Sequence, residues 1–262
     1  MPADPLDALR AHARAVAPRA YVPYTRQPEA AALLLSDGVW VPGVRTENAA
    51  FPLLIPALVA AATMARATGR TDVRAAVLTR PFEPGEIAFL LSAFEVDWQP
   101  VAADALVTGE AALPAPSDPL DPALPFPAPA SDAEAVALAE IAARRAHAPY
   151  SDFPVGCVVE TADGRVLPGA NVEHPDWTRG LCAERVALAT ARALGYDAFR
   201  RITVVCPRAP GATPCGSCRQ VLAELAPGVP LVIGRGAAAP ETTTPEALLP
   251  GAFSGNLLRS VE

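Results

Sequence analysis

The pattern of apolar and polar positions in the second half of the chain alternates between two periods. Helical spacing predicts helices over about 132–147, from 181 to a stop at Gly195, and from Pro214 to 227. Short apolar runs predict strands over about 156–161, 165–169, 202–206 and 231–234. Helices that alternate with strands in this way predict an αβ sandwich built on a mixed sheet.

Prolines interrupt this pattern in the middle of the chain. The stretch 113–130 contains seven prolines among alanine and acidic residues, which no helix or central strand tolerates. We expect an extended linker there, held against a domain surface by Leu120, Leu124 and Phe126. The predicted domains are therefore 1–112 and 131–262.

The two predicted domains are related by a degenerate internal repeat. Residues of the same type recur 126 positions apart, without a gap, at Tyr24 and Tyr150, Asp37-Gly38 and Asp163-Gly164, Pro42-Gly43 and Pro168-Gly169, Glu47 and Glu173, and Gly69 and Gly195. A constant register across several turn residues is not expected by chance. We infer that the two halves share one fold.

Composition and charge indicate which partners and which location to expect for the protein. The chain has 262 residues, 51% of them hydrophobic, and a formal net charge of -7, which disfavours a nucleic-acid partner. It contains no apolar run of about 18 residues, so we expect no membrane partner. Residues 1–10 lack the basic start and apolar core of a targeting segment, and we therefore expect a cytoplasmic protein.

Cysteine spacing indicates a metal site in the second half. All five cysteines lie there, an odd number that does not suggest a disulfide framework. Cys182-Ala183-Glu184-Arg185 precedes Pro214-Cys215-Gly216-Ser217-Cys218, which gives three thiols and one nearby carboxylate. Three protein ligands leave a position for water, as in catalytic zinc sites, whereas a structural zinc, the alternative, normally has four. We expect Cys157 and Cys206 to be buried apolar residues.

The first half lacks these groups at the repeat-equivalent positions. Pro56 replaces Cys182, Leu58 replaces Glu184, and Arg45 stands where Asn171 is found. The counterpart of the second ligand helix, which begins at Pro84, contains no thiol. We therefore expect the first half to be a non-catalytic scaffold.

The second half resembles the cytidine deaminase family. Five elements carry the resemblance in order, at 150–156, 171–173, 182–185, 214–220 and 248–253. A ligand-x-Glu element followed by Pro-Cys-x-x-Cys is the signature of zinc nucleobase deaminases. The version with Cys182 as the first ligand is similar to the enzymes that act on free nucleosides. The resemblance implies two tandem αβα sandwiches, each with a mixed central sheet of about five strands.

The resemblance also implies roles for individual residues. One zinc ion per chain would be held by Cys182, Cys215 and Cys218, and Glu184 would transfer protons during hydrolytic deamination of cytidine and deoxycytidine. Asn171 and Glu173 would bind the ribose, and Phe153 would line the base pocket. The Ala183 N–H would donate to the pyrimidine carbonyl, and Phe253 from a neighbouring domain would stack on the base. Arg185 would tune the charge of the zinc site.

Family likeness further implies a homodimer that forms a pseudo-tetramer of deaminase-like domains, with a place in pyrimidine salvage. The loop 174–179 departs from the usual family sequence at unchanged length. This leaves open, as an alternative substrate, another aminopyrimidine nucleoside such as a cytosine-containing antibiotic. A second alternative is a non-catalytic, zinc-stabilised nucleoside-binding scaffold.

Overall fold

Two five-stranded sheets follow each other along the chain in the computed structural model, which describes residues 4–255. The first contains β1 (Ala30–Leu35), β2 (Trp40–Val44), β3 (Val73–Leu78), β4 (Trp98–Ala102) and β5 (Ala105–Thr108). The second contains β6 (Gly156–Thr161), β7 (Val166–Ala170), β8 (Phe199–Val205), β9 (Leu231–Arg235) and β10 (Ala238–Thr243). The predicted strand number per half is confirmed. The final residues of the predicted second domain, 256–262, lie outside the described residues.

Helices cover these sheets. They are α1 (Pro5–Val16), α2 (Ala57–Ala67), α3 (Pro84–Phe94), α4 (Asp132–Ala143), α5 (Ala183–Leu194), α6 (Gly216–Leu225) and the short α7 (Pro245–Leu248). In the second half, Val158 packs with α4, whereas its neighbours Cys157 and Val159 pack with α5 and α6. Because successive strand residues face opposite sides, the sheet lies between two helical layers. The predicted sandwich is confirmed.

The two sheets differ in one strand pairing. The second has the order β10-β9-β8-β6-β7 with β8 and β9 parallel, so it is mixed as expected. The first has the order β2-β1-β3-β5-β4, and its pairs are antiparallel throughout. A strand that follows a helical crossover is expected to run parallel to the strand before the helix. In the first half, β4 and β5 form a hairpin, and it is the second strand of the hairpin, β5, that pairs with β3. The pairing is therefore antiparallel.

The helix predicted over 132–147 ends earlier, at Ala143. Beyond it the His147 N–H donates to the Asn171 carbonyl, at 2.9 Å, and Pro149 follows. A helix is disfavoured just before proline, so this segment pairs with the segment that follows β7. The predicted stop at Gly195 is confirmed, since Gly195 adopts the left-handed conformation, with φ of 91°, that ends many helices.

The proline-rich stretch runs without helix or strand along both halves. Leu120 N–H donates to the Trp40 carbonyl at 2.7 Å, and Leu124 N–H donates to the Val166 carbonyl at 2.9 Å. Leu120 and Leu124 are partly buried against the cores, as expected. Phe126, which lies between two prolines, faces solvent and is not buried against a core. Its predicted anchoring role is therefore wrong.

Helices α2 and α5 join the two halves. They pack against each other, and the core of the first half includes Val186, Ala189 and Ala193 of α5. Each helix also lies close to a glycine of its own sheet: a Cβ on Gly169 would approach the Ala183 carbonyl to 2.3 Å, and one on Gly43 the Ala57 carbonyl to 2.2 Å. Gly169 thereby fixes the start of α5 on the sheet.

Within residues 4–255, no helix combines the length and apolar character needed to cross a bilayer.

Candidate metal centre

Two helix N-termini bring the three predicted ligand thiols together. Cys182 precedes α5 and Cys215 precedes α6, each in an extended conformation, and Cys218 lies in the first turn of α6. The three Sγ atoms lie within 4.8 Å of one another. Free backbone N–H groups and the helix dipole favour thiolates at such positions.

The sulfur geometry fits a zinc ion. Zinc–sulfur bonds of about 2.3 Å in a tetrahedral arrangement separate two sulfur atoms by about 3.8 Å. The Sγ atoms of Cys182 and Cys215 are 3.8 Å apart. Among residues 4–255 the cluster contains three thiols and no fourth protein ligand, which matches a site that keeps one position for water.

The hydrogen bonds among the three thiols shift their pKa values in opposite directions. Hydrogen bonds from Cys182 and Cys218, together with the N–H groups of Cys218 and Ser217, lower the pKa of Cys215 below its usual range. The partner thiols and burial raise the pKa of Cys218. The cluster therefore favours a thiolate at Cys215, which is the form of cysteine that binds a metal cation.

Glu184 lies in the first turn of α5 beside this cluster. Its side chain is almost fully buried, and burial, reinforced by Cys215, raises its pKa to about 6. A carboxyl group with a raised pKa can both accept and donate a proton near neutral pH. The arrangement therefore combines a cation site with a proton carrier.

A cavity of about 290 Å³ opens onto Glu184 and two of the thiols. Its walls include the predicted substrate residues Phe153, Asn171 and Glu173, together with Val155, Val204, Thr213 and Pro214. The cavity is mostly apolar with few polar groups, as is usual for small-molecule sites.

The predicted ribose-binding residues are held in fixed positions. Asn171 Oδ1 accepts from Val155 N–H at 2.7 Å, and its Nδ2 donates to the Phe153 carbonyl at 3.0 Å. Glu173 accepts from Tyr150 N–H at 2.9 Å and from the N–H and hydroxyl of Ser151. Burial opposes ionisation of Glu173, but these bonds outweigh it and lower its pKa.

Three other predicted residues lie apart from the cavity walls. Ala183 is fully buried as the first residue of α5. Arg185 Nη2 donates to the carbonyl of Leu53 in the first half at 3.1 Å, while its buried Nε–H has no partner within residues 4–255. Phe253 lines a separate cavity together with Tyr24 and Phe51 of the first half, and it does not line the Glu184 cavity of its own chain.

Several residues of the cavity wall were not predicted as site residues, among them Trp177 and Cys206. Trp177 lies in the loop 174–179 with 74% of its surface exposed. Cys206, expected to be buried, is only partly buried and lines the cavity just after β8, whereas Cys157 is fully buried as expected. Cys206 follows directly after β8, at the ends of the strands where the ligand loops begin, and its place after a buried apolar run is a signal that the sequence contains.

The first half contains ion pairs at the equivalent place. Arg80 stands at the repeat position of Cys206 and Glu29 at that of Val155. Arg80 donates to both Glu29 and Glu86, at 2.8 Å and 2.6 Å, and Arg45 Nε donates to Glu47 at 3.0 Å. Charged residues thus replace wall residues of the second half's cavity, and Arg45 and Glu47 line a separate cavity of the first half.

Comparisons with known proteins agree with this geometry. A family model described as the cytidine and deoxycytidylate deaminase zinc-binding region matches residues 129–233, and a second model with that description matches residues 2–81. The cytidine deaminase of Sporosarcina psychrophila is 38% identical over 120 residues, covering 45% of this chain and 88% of the relative. That of Halalkalibacterium halodurans is 40% identical over 110 residues, covering 42% and 83%.

Among solved structures, the 1.6 Å crystal structure of cytidine deaminase from Burkholderia pseudomallei has 38% sequence identity and a TM-score of 0.45, covering 47% of this chain and 99% of that chain. The chain covers most of the length of relatives above 30% identity, and the family models match both of its halves. The chain therefore belongs to the cytidine and deoxycytidylate deaminase family.

Proposed function

We propose that this protein is a zinc-dependent hydrolase that converts cytidine and deoxycytidine to uridine and deoxyuridine with release of ammonia. The observation that carries the proposal is the buried Glu184 beside three convergent thiols in a cavity of about 290 Å³. The family relatives are named cytidine deaminases, which supports the same reaction.

Glu184 performs the proton transfers of this reaction. When held by Cys182, Cys215 and Cys218, zinc supplies the Lewis acidity that makes a water proton easy to remove. Glu184 takes that proton and carries it to N3 of the pyrimidine while the oxygen adds to C4. Glu184 then moves the remaining hydroxyl proton to the exocyclic nitrogen, the C4–N bond breaks, and ammonia leaves.

Residues of the cavity wall orient the nucleoside. The Glu173 carboxylate and the Asn171 side chain receive the sugar hydroxyls, and Phe153 contacts the base. Ala183 N–H, at the start of α5, donates to the pyrimidine carbonyl. Phe253 stacks on the base in a second copy of the chain, which is consistent with its exposed position away from its own cavity.

Arg185 offsets the charge of the metal site. Three thiolates on one divalent ion give a net charge of -1, which weakens the acidification of water. The buried Nε–H of Arg185 has no partner among the described residues, so it is available for donation to a thiolate sulfur. Arg185→Gln should lower turnover while the zinc content is preserved.

We assign residues 1–112 to a non-catalytic deaminase-like domain, 113–130 to the linker, and 131–262 to the catalytic domain. The absence of cysteine from the first half supports this division. Two chains form a dimer that is a pseudo-tetramer of four such domains. A solution mass equal to two chains supports this assembly, and a mass of one chain at micromolar concentration contradicts it.

The physiological role that we propose is pyrimidine salvage in the cytoplasm. Three ligand thiols must remain reduced to bind zinc, which favours a reducing compartment. Trp177 and the altered loop favour, as a second candidate substrate, another aminopyrimidine nucleoside. A non-catalytic nucleoside-binding scaffold is the remaining alternative, and it requires Glu184 to have no part in turnover.

A pair of variants in the same cavity tests this function. Glu184→Gln should abolish deamination of cytidine, followed by loss of cytosine absorbance, while one zinc per chain is retained. Glu173→Gln should instead raise KM more than it lowers kcat, because it removes a sugar contact. If Glu184→Gln retains most of the activity, the mechanism is wrong. If wild-type protein binds zinc but leaves cytidine intact, a panel of aminopyrimidine nucleosides identifies the second candidate.

A further inference from the structure

One short segment of the first half contacts both helices that carry the ligand thiols. This segment, Ala49–Leu53, includes a single 3-10 turn over Phe51–Leu53. Its last carbonyl, that of Leu53, accepts from Arg185 of α5 at 3.1 Å. At its other end, Ala49 N–H donates to Glu224 of α6 at 2.7 Å.

Glu224 binds the first half through both of its oxygens. Oε2 accepts from Ala49, and Oε1 accepts from the hydroxyls of Tyr24, at 2.7 Å, and Tyr21, at 3.2 Å. Hydrogen bonds to an ionised carboxylate are shorter and stronger than neutral ones. Glu224 lies on the same helix as Cys218, so these bonds fix α6 relative to the first half.

Packing reinforces both contacts. Ala49 is buried, and Leu53 packs against the core of the second half that includes Ala183, Ala187 and Cys218. Both hydrogen bonds are partly buried, so breaking either one without a replacement partner has a cost in free energy.

Because of the repeat, each half extends an equivalent segment onto the other half, but only the segment of the first half contacts helices that carry ligand thiols. The equivalent segment 175–179 of the second half lies against α3, where a Cβ added to Gly85 would approach Arg179 Nη2 to 2.5 Å. The adjoining His174 ring lies 5.4 Å from that of Phe89. Helix α3 contains no cysteine.

We propose that Ala49–Leu53 is a clamp that sets the distance between α5 and α6, and with it the distance from Cys182 to Cys215 and Cys218. Glu224 is a positioning residue that acts through α6. Cys182 and Cys215 are far apart in sequence and lie on different helices, so small relative movements change the sulfur–sulfur spacing directly. The first half therefore contributes to metal retention without holding metal itself.

Glu224→Gln tests the clamp in the full-length chain. Two measurements are made well below the melting temperature: the rate of zinc transfer to a chelator, and the absorption spectrum of the protein loaded with Co²⁺. Loss of outer contacts to a metal site typically weakens it by about 10- to 100-fold, so we expect zinc release at least about tenfold faster. The sulfur–cobalt charge-transfer band should shift or broaden as the thiol geometry loosens.

The matched control is Glu246→Gln, a carboxylate of the same half that caps the Gly228 N–H at 2.8 Å without reaching the first half. It should release zinc at the wild-type rate. If Glu224→Gln does not fold, the same zinc-release and Co²⁺ measurements are made on Tyr24→Phe. This variant removes one hydroxyl donor to Glu224 and keeps the aromatic ring.

Wild-type release rates and an unchanged Co²⁺ spectrum in the folded variant would overturn the clamp. The clamp proposal rests on the zinc assignment of the proposed function, but different results would contradict the clamp and the zinc assignment. A wild-type protein without thiolate–cobalt absorption contradicts the zinc assignment, whereas identical spectra in wild type and variant contradict the clamp alone.

Discussion

Trp177 is held at the mouth of the cavity by its own loop. Asp176 N–H donates to His174 Nδ1 at 3.0 Å, and the Asp176 carboxylate accepts from Thr178 N–H at 3.0 Å. These bonds order the backbone on both sides of Trp177, which is 74% exposed. An exposed aromatic ring at this place suits stacking on a nucleoside.

Trp177→Ala should raise the KM for cytidine about fivefold or more, because stacking of a base on an aromatic ring is worth about 1 kcal/mol or more. The zinc content should not change. Phe126→Ala, which removes an exposed ring in the linker, is the control and should keep the wild-type KM. An unchanged KM in Trp177→Ala would show that the indole has no contact with substrate.

Glu47 repeats the arrangement of Glu173 in the half without cysteines. It accepts from Tyr24 N–H at 3.1 Å, from Thr25 N–H at 3.1 Å and from the Thr25 hydroxyl at 2.5 Å. Burial raises the pKa of Glu47, but these bonds and Arg45 outweigh burial and lower it. The ionised form therefore stabilises the fold above the unfolded pKa of about 4.3, and this contribution is lost as the pH falls below it.

Glu47→Gln should lower the free energy of unfolding at pH 7 by about 2 kcal/mol, since it removes hydrogen bonds to a charged group. The difference from wild type should shrink between about pH 5 and pH 3, as the wild-type carboxylate is protonated. Urea unfolding at several pH values measures this. Glu110→Gln, at an exposed position, is the control. A difference that stays constant with pH would contradict the linkage.

At the scale of elements, ion pairs connect α3 to the first sheet where the second half has its cavity. Glu29 and Glu86 have side chains only 10% and 9% exposed, and both are bound by Arg80, which is 30% exposed. Removing one partner of a buried ion pair leaves an uncompensated charge.

Arg80→Met should therefore destabilise the protein by about 2 kcal/mol, less than for a fully buried pair because Arg80 retains contact with water. Zinc per chain should be unchanged, since these residues hold no metal. Arg14→Met, on the exposed face of α1, is the control. Equal stability of the two variants, measured by thermal unfolding, would show that the cluster contributes nothing.

The elements around the metal centre follow from local sequence. Apolar spacing and Gly195 predict α5, and Pro214 predicts the start of α6, so local sequence is enough to place Cys182, Glu184 and Cys215 at helix N-termini. Local signals do not determine which strand of the β4–β5 hairpin pairs with β3. They also do not determine which cavity an exposed Phe253 faces, because both depend on contacts between distant segments.

The ion-pair cluster of Glu29, Arg80 and Glu86 could have been predicted from the sequence. The repeat register aligns Glu29 with Val155 and Arg80 with Cys206, so two charges replace two wall residues of the cavity. Trp177 was recognisable only as part of an unusual loop. Its position at the cavity mouth depends on the hydrogen bonds of its own loop and on the contact of the adjoining His174 with Phe89 of the other half, a long-range contact that no periodicity encodes.

At the scale of the whole molecule, the halves share a core rather than meeting at a polar surface. Residues of β7 and α5, among them Ala170 and Val186, belong to the core of the first half. An apolar interface of this kind couples the unfolding of both parts.

Heating should therefore unfold both halves in one transition. Release of zinc, which reports on the second half, should coincide with the change in fluorescence of a variant that retains only Trp40, which is buried in the first half. Replacement of Trp98 and Trp177 by Phe gives that variant. Two transitions separated by several degrees would show that the halves unfold independently.

We propose that the three thiols and Glu184 form one hydrolytic zinc centre in the second half. Purified protein should be incubated with cytidine while the loss of cytosine absorbance is followed, with zinc per chain measured on the same sample. We predict rapid conversion to uridine with about one zinc per chain. Conversion that persists fully after zinc is removed by a chelator, or a chain that binds no zinc, would contradict the account.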